Sequence, residues 1–298
     1  MVSRRPDPPR ASPGRAIGEG WRRTAGAPAL IAGLLIATAA TAVPFGMLVA
    51  PEDWQRRGLS EALFALVDPS PAHWSSRWAL PATVSYVSSQ AALAVQDYAP
   101  ILMWLFFAGG ALDRLARARP LRTAAFFAAC GVYFFRFLRL AALFVPIYWA
   151  VGWLPWIIEP IADVSPVAAR ALSALLLTAV GLVLDFAMIR MVVEDRRSAI
   201  GALLSSLRFV RRHMIGAVVV FAVHAVLAWA VVALWMAAPL TILSALVLAL
   251  LRIFVMFAWM ASEIALFQDS LAHAGYTAAP PAVWPQSASV EAIRNLSR

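Results

Sequence analysis

Four ionisable side chains stand inside long apolar runs of this sequence, and they are the candidate ligand-binding residues: Arg252, His224, Asp185 and Glu263. Arg252 interrupts a stretch that is otherwise apolar from His213 to Gln268, broken again only by Glu263. A guanidinium in the middle of a membrane helix costs about 3 kcal/mol or more unless it is paired, hydrated or turned toward a cavity. Arg252 falls about 12 residues into its span, or roughly 18 Å deep at the helical rise. His224 reaches a similar depth from the opposite side, and a neutral imidazole can accept a hydrogen bond from a guanidinium. The functional reading of this pair is an anion or lipid-headgroup site at the midplane. The structural reading, of equal weight, is an interhelical clamp satisfied by carbonyls and water. Glu263 follows Arg252 on the same helix face but about 16 Å along the axis, too far for a direct ion pair. Asp185 and Glu263 both lie in the inner third of their spans, where acids at one depth could relay protons or cations. Pairing of each with an inner-leaflet arginine such as Arg190 is the favoured alternative.

The elements that must position these residues are membrane helices. The chain has 298 residues, 62% of them hydrophobic and only 14% charged, too little charge to cover a soluble domain of this length. Its apolar stretches approach the twenty residues that a bilayer crossing needs. The net charge is +9, all 25 basic residues are Arg, and there is no Lys, a coding bias of GC-rich bacterial genomes. A basic balance can serve nucleic acid or anionic lipid; here the arginines cluster at the ends of apolar runs, which favours the membrane and excludes nucleic acid as the partner. Cys130 is the one cysteine, so no intrachain disulfide or cysteine-based metal site is expected.

The expected fold is all-α, a polytopic bundle of six transmembrane helices. Residues 1–25 read as a disordered basic arm and residues 26–268 as the transmembrane domain. Residues 269–298 read as a flexible tail. Within the domain, spans are expected near 24–51, 98–112, 140–158, 167–190, 214–236 and 241–267. An outer loop occupies 52–97, of which 81–95 is either the end of a long second helix or a re-entrant piece. Inner amphipathic helices are expected near 116–139 and 195–212. With the N-terminus inside, the outer segments keep only Arg56, Arg57, Arg77 and Arg170. The positive-inside rule then places both termini in the cytoplasm of a bacterial cytoplasmic (inner) membrane.

The even-numbered spans end in similar signatures: Leu112-Asp113-Arg114-Leu115-Ala116, Glu194-Asp195-Arg196-Arg197-Ser198-Ala199 and Gln268-Asp269-Ser270-Leu271-Ala272. Arg136-Phe137-Leu138-Arg139 likewise matches Arg208-Phe209-Val210-Arg211. Two readings stay open: three related helical hairpins, as in transporters built from repeats, or independent helix ends that are basic for topology. The membrane-surface basic residues are Arg136, Arg139, Arg208, Arg211 and Arg212, suited to anionic lipids of the inner leaflet at about 1 kcal/mol each.

No phosphate loop, metalloprotease helix, nucleophile elbow or Cys/His metal spacing is present. No cofactor and no metal are expected, and the balance leans away from an enzyme. The stretches Ala108-Gly109-Gly110-Ala111-Leu112-Asp113-Arg114 and Val193-Glu194-Asp195-Arg196-Arg197-Ser198-Ala199 resemble those of uncharacterised six-span bacterial inner-membrane proteins. The layout is loosely similar to the membrane domain attached to some glycerophosphodiester phosphodiesterases. The resemblance covers most of the chain as layout and few residues as identity. It implies neither substrate nor cofactor, and no soluble phosphodiesterase domain accompanies it. The expected role is a non-enzymatic scaffold or subunit of a membrane complex that docks a protein partner or anionic lipid. The alternative is a transporter or permease for an anionic or amphiphilic solute, with Arg252 and His224 in its site.

Overall fold

The computed structural model describes residues 12–37, 90–117, 122–162, 165–237 and 242–278, and among them the chain is helical, without a strand. The helices are α1 (Pro13–Ala25), α2 (Pro28–Ala37), α3 (Gln90–Arg117), α4 (Thr123–Ala162), α5 (Pro166–Val193), α6 (Ala199–Arg212), α7 (Met214–Ala237) and α8 (Ile242–Ala278). Their starts follow local chemistry. Ser165 caps α5 by accepting from the Ala168 amide at 3.3 Å, with Pro166 in the first turn, and the Ser198 hydroxyl accepts from the Gly201 amide at 3.1 Å to cap α6.

Four stretches are long and apolar enough to cross a bilayer: Thr123–Glu159, Pro166–Val193, Met214–Leu234 and Leu246–Leu271. A bundle carrying four such helices belongs in a membrane, with lipid against its apolar exterior. Of the first span expected from sequence, only the part within Pro28–Ala37 is described as apolar helix, and the second lies within α3. The helix α4 has 40 residues, about 60 Å, more than a perpendicular crossing needs. Trp149, Trp153 and Trp156 stand exposed near its far end, where indoles suit a membrane–water boundary.

Several boundaries differ from the expectation, each for a packing reason. The disordered arm expected at 1–25 is helix from Pro13 to Ala25. Ser12-Pro13 is a good helix start, and Ala16, Gly20 and Thr24 form a buried stripe of small residues that gives α1 a seat on α8. Residues 1–11 lie outside the described residues. No separate amphipathic helix spans 116–139: α3 runs to Arg117, and Thr123 begins the unbroken α4. Cys130, Tyr133 and Phe137 are buried while Phe127, Val132 and Phe135 face outward, so both faces of this stretch are apolar and nothing stops the helix at Arg139. The tail expected from 269 begins as helix, since α8 continues to Ala278. Of the outer loop expected at 52–97, residues 90–97 are the start of α3 and residues 52–89 lie outside the described residues. The same holds for the 81–95 stretch, helical from Gln90 onward.

α8 is central and α4 peripheral: 61% of the crossing stretch of α8 is buried against 11% for α4. The helices α3, α5 and α8 touch one another. Against each of them, at the arginine-rich end, lies another helix: α1 on α8, the first turns of α4 on α3, and α6 on α5. The approaches are close. A Cβ on Gly20 would fall 2.2 Å from Ser262 Oγ and 2.7 Å from its Cα, and one on Gly110 would fall 2.6 Å from Cys130 Sγ. Only glycine allows backbones this near, and close van der Waals packing is what drives helices together in lipid.

Replacing Gly20 with Val should therefore unseat α1 while leaving the crossing helices folded, at a cost of about 1–3 kcal/mol. Limited trypsin digestion in mild detergent should cut after Arg22 and Arg23 faster in this variant. Equal rates would mean that α1 is not held at this crossing.

Candidate functional site

The hairpin of α7 and α8 gathers His224, Trp259, Ser262 and Glu263 into one buried cluster. On α8 the residues 258, 259, 262 and 263 share a face, the spacing by which a helix aligns side chains on one side. His224 Nδ1 donates to the Val220 carbonyl oxygen at 2.8 Å, since a carbonyl can only accept. Its Nε2 lies 3.4 Å from Ser262 Oγ, which itself donates to the Ala258 carbonyl oxygen at 2.6 Å. The single hydroxyl proton of Ser262 can thus serve one of two acceptors. The imidazole stacks on Trp259 at 6.0 Å with 21° between the planes, and Phe221 closes edge-on against the same indole at 4.9 Å. Trp259 Nε1 in turn donates to Glu263 Oε1 at 2.8 Å.

A serine beside a histidine has the residue types of acyl-transfer chemistry. Here both are 0% exposed, and Gly20 of α1 presses its backbone onto Ser262. Among the described residues the hydroxyl is thus enclosed, and the cluster joins α7 and α1 to α8.

Arg252 does not belong to this cluster. His224 meets α8 at Trp259 and Ser262, which places Arg252 roughly 10–15 Å farther along the axis. The matching depths expected from counting residues inward from each helix end are not realised. Arg252 is half-buried and engaged within the chain, two positions from Phe254, whose ring meets Trp21 of α1 at 5.4 Å. Asp185 is buried in α5 and likewise engaged; its neighbour Phe186 packs on Phe209 of α6 at 4.9 Å. Arg190 lies 3.5 Å from Glu194 and over the ring of Phe267.

A second polar group sits at the arginine-rich end. Arg23 Nη1 donates to the Leu115 carbonyl oxygen at 3.2 Å and to Gln268 Oε1 at 2.8 Å, and Gln268 Nε2 donates to the Ala116 carbonyl oxygen at 2.9 Å. The last carbonyls of α3, which have no partner within their own helix, are thus satisfied by α1 and α8. Arg15 pairs with Asp269 at 2.9 Å, and Arg114 donates to the Gly26 carbonyl oxygen at 2.9 Å. Across the bundle Arg136 pairs with Asp195 at 2.5 Å. Asp195 takes a left-handed backbone, φ 50°, which Asp tolerates better than most residues, at the turn after α5. The hydrogen bond from Arg136, then its charge, hold the Asp195 carboxyl below its ordinary value. The hydrogen bond from Arg23 does the same for Glu19, against the opposing effect of burial and with help from Arg22.

No protein-family model, curated protein or solved structure matches this chain.

Among the described residues no group of three His, Cys, Asp or Glu side chains is placed to hold a metal ion. Of the candidates named from sequence, His224 and Glu263 come together through Trp259, whereas Arg252 stands apart. Gly20, Ser262, Trp259 and Arg23 were not singled out by sequence, and Gln268 only as part of a repeated signature. For Gly20 a signal was present, the Ala16-x-x-x-Gly20-x-x-x-Thr24 spacing of small residues.

The Glu19 linkage has a definite sign. Its folded pKa is depressed, so its contribution is complete above the ordinary glutamate value and fades as pH falls through the folded value. The difference in thermal stability between the wild type and Glu19→Gln, less than about 1 kcal/mol for a pair this exposed, should shrink toward zero between about pH 6 and about pH 3. A constant difference across that range would uncouple Glu19 from the seat of α1.

Proposed function

We propose that this chain is a non-enzymatic component of a bacterial cytoplasmic membrane, a scaffold or subunit of a membrane complex, with six spans and both termini in the cytoplasm. The observation that carries the reading is the clamp at Ser262. The buried serine, histidine, tryptophan and glutamate of the α7–α8 hairpin bond to one another and to the backbone, and α1 closes over them. Polar groups arranged in this way fix a unique packing and present a fixed surface. The orientation is supported by the arginine bias between loops.

The three-unit reading of the chain gains support from the helices that start the first and last units. Ser12, Ala16, Gly20 and the α2 start Pro28 stand at the same spacings as Ser198, Ala202, Ser206 and the α7 start Met214. In both, a serine N-cap leads into a stripe of small buried residues, and an apolar helix follows after a short break.

The transporter alternative required Arg252 and His224 in one site. His224 meets α8 at Trp259 and Ser262, roughly 10–15 Å along the axis from Arg252, which supports the scaffold reading over a shared site.

Native mass spectrometry of the protein extracted gently from its own membrane tests the choice. A stoichiometric protein partner, retained in the Arg252→Leu variant, is the expected result. A small anion bound without a protein partner and lost in Arg252→Leu would overturn the scaffold reading in favour of transport.

A further inference from the structure

The three helices that lie at the arginine-rich end occupy corresponding places but differ on their outward faces. On α6 the residues Ala202, Ser206 and Phe209 pack inward. Its opposite face carries Ile200, Leu204 and Leu207, which are 60%, 50% and 43% exposed. That face runs directly into Arg208, Arg211 and Arg212, whose i, i+3, i+4 spacing sets the three guanidinium stems side by side. Arg208 Nε donates to the Leu204 carbonyl oxygen at 3.4 Å; among the described residues neither Arg211 nor Arg212 is in an ion pair.

The other two helices lack this combination. The outward side of α1 carries Gly14, Gly18 and Ala25 rather than large apolar residues, and its arginines are matched, Arg15 with Asp269 and Arg22 with Glu19. The first turns of α4 are apolar outside, but Arg136 is spent on Asp195, and Arg139 stands exposed with no arginine beside it in α4 other than the paired Arg136. Among the described residues of these three helices, only α6 joins an exposed apolar strip to a cluster of arginines without carboxylate partners. Free phosphate would use the arginines and leave the strip in water; a purely apolar surface would leave the guanidinium groups unmatched. A molecule with an anionic head and hydrocarbon tails satisfies both.

We propose that the outward face of α6 binds an anionic phospholipid of the leaflet in which it lies, Arg208, Arg211 and Arg212 taking the headgroup phosphate and Ile200, Leu204 and Leu207 lying along the acyl chains. The proposal rests on the inward placement of the arginine-rich end and adds to the scaffold reading the lipid that seats it. The helix dipole also favours cations at this C-terminal turn, so simple anchoring of the chain is the competing explanation.

The test offers purified full-length protein phosphatidylglycerol and phosphatidylcholine together in mild detergent and reads the retained lipid by native mass spectrometry. The wild type is expected to retain phosphatidylglycerol preferentially. The triple variant Arg208→Gln, Arg211→Gln, Arg212→Gln should bind it about a hundredfold more weakly, three contributions of about fivefold each. The triple Arg→Lys variant should recover most of the retention, which separates lost charge from lost folding, and Arg22→Gln on α1 should change nothing. Equal retention by the triple Gln variant, or no preference between the two lipids in the wild type, overturns the proposal. Displacement of phosphatidylglycerol by inorganic phosphate would reassign the arginines to a free anion and also overturn it. No partner protein enters this measurement, so its failure is distinct from a failure to co-extract one.

Discussion

The joining of α1, α3 and α8 at the arginine-rich end depends on one backbone contact, the passage of Gly20 over Ser262. Lipid offers no hydrophobic reward for bringing helices together, so association rests on how closely they approach. The absence of a side chain at Gly20 lets α1 settle on α8 near enough for Arg23 to reach both Gln268 and the end of α3. Ser262 can face α1 on one side and His224 on the other because its hydroxyl is satisfied within its own helix by Ala258. Had position 262 carried a larger side chain, α1 and α7 could not both have met α8 at this level.

The clamp is also an answer to the cost of buried polarity. A histidine at 0% exposure in a membrane-type bundle is tolerable when its ring N–H has an acceptor and its faces are covered. Val220 takes the proton of Nδ1, and the stacked indole of Trp259 covers the ring while its own N–H is spent on Glu263. Each group is useful because the next one is present, which is why the cluster specifies a register between α7 and α8.

Much of the architecture was legible in the sequence. Helical content, membrane placement and the positions of the crossing stretches in α5, α7 and α8 follow from apolar runs near twenty residues and from arginines gathered at their ends, whereas four candidate crossings are seen among the described residues where six spans were expected. The amphipathic pattern in 195–212 was visible, and the helix there, α6, starts at its serine cap. What the sequence hid were tertiary decisions. Counting inward from helix ends put His224 and Arg252 at one depth, but depth in a hairpin is set by which side chains interlock, and His224 interlocks with Trp259 and Ser262. The Arg-, Pro- and Gly-rich composition of residues 1–25 suggested irregular chain. Composition averages over the one face that mattered, the small residues at every fourth position of α1. Arg139 looked like a boundary because a charge usually ends an apolar run, yet a helix with apolar surface on both sides continues past it.

The seat of α1 sets an order of assembly. Pro13–Ala25 leaves the ribosome well before Phe254, Ser262, Gln268 and Asp269, against which it rests. During synthesis the opening helix therefore waits through the insertion of nearly every later one before its own place exists. Its docking therefore cannot precede the arrival of α8, and until then its charge is balanced within the helix by the pairs of Glu19 with Arg22 and Arg23.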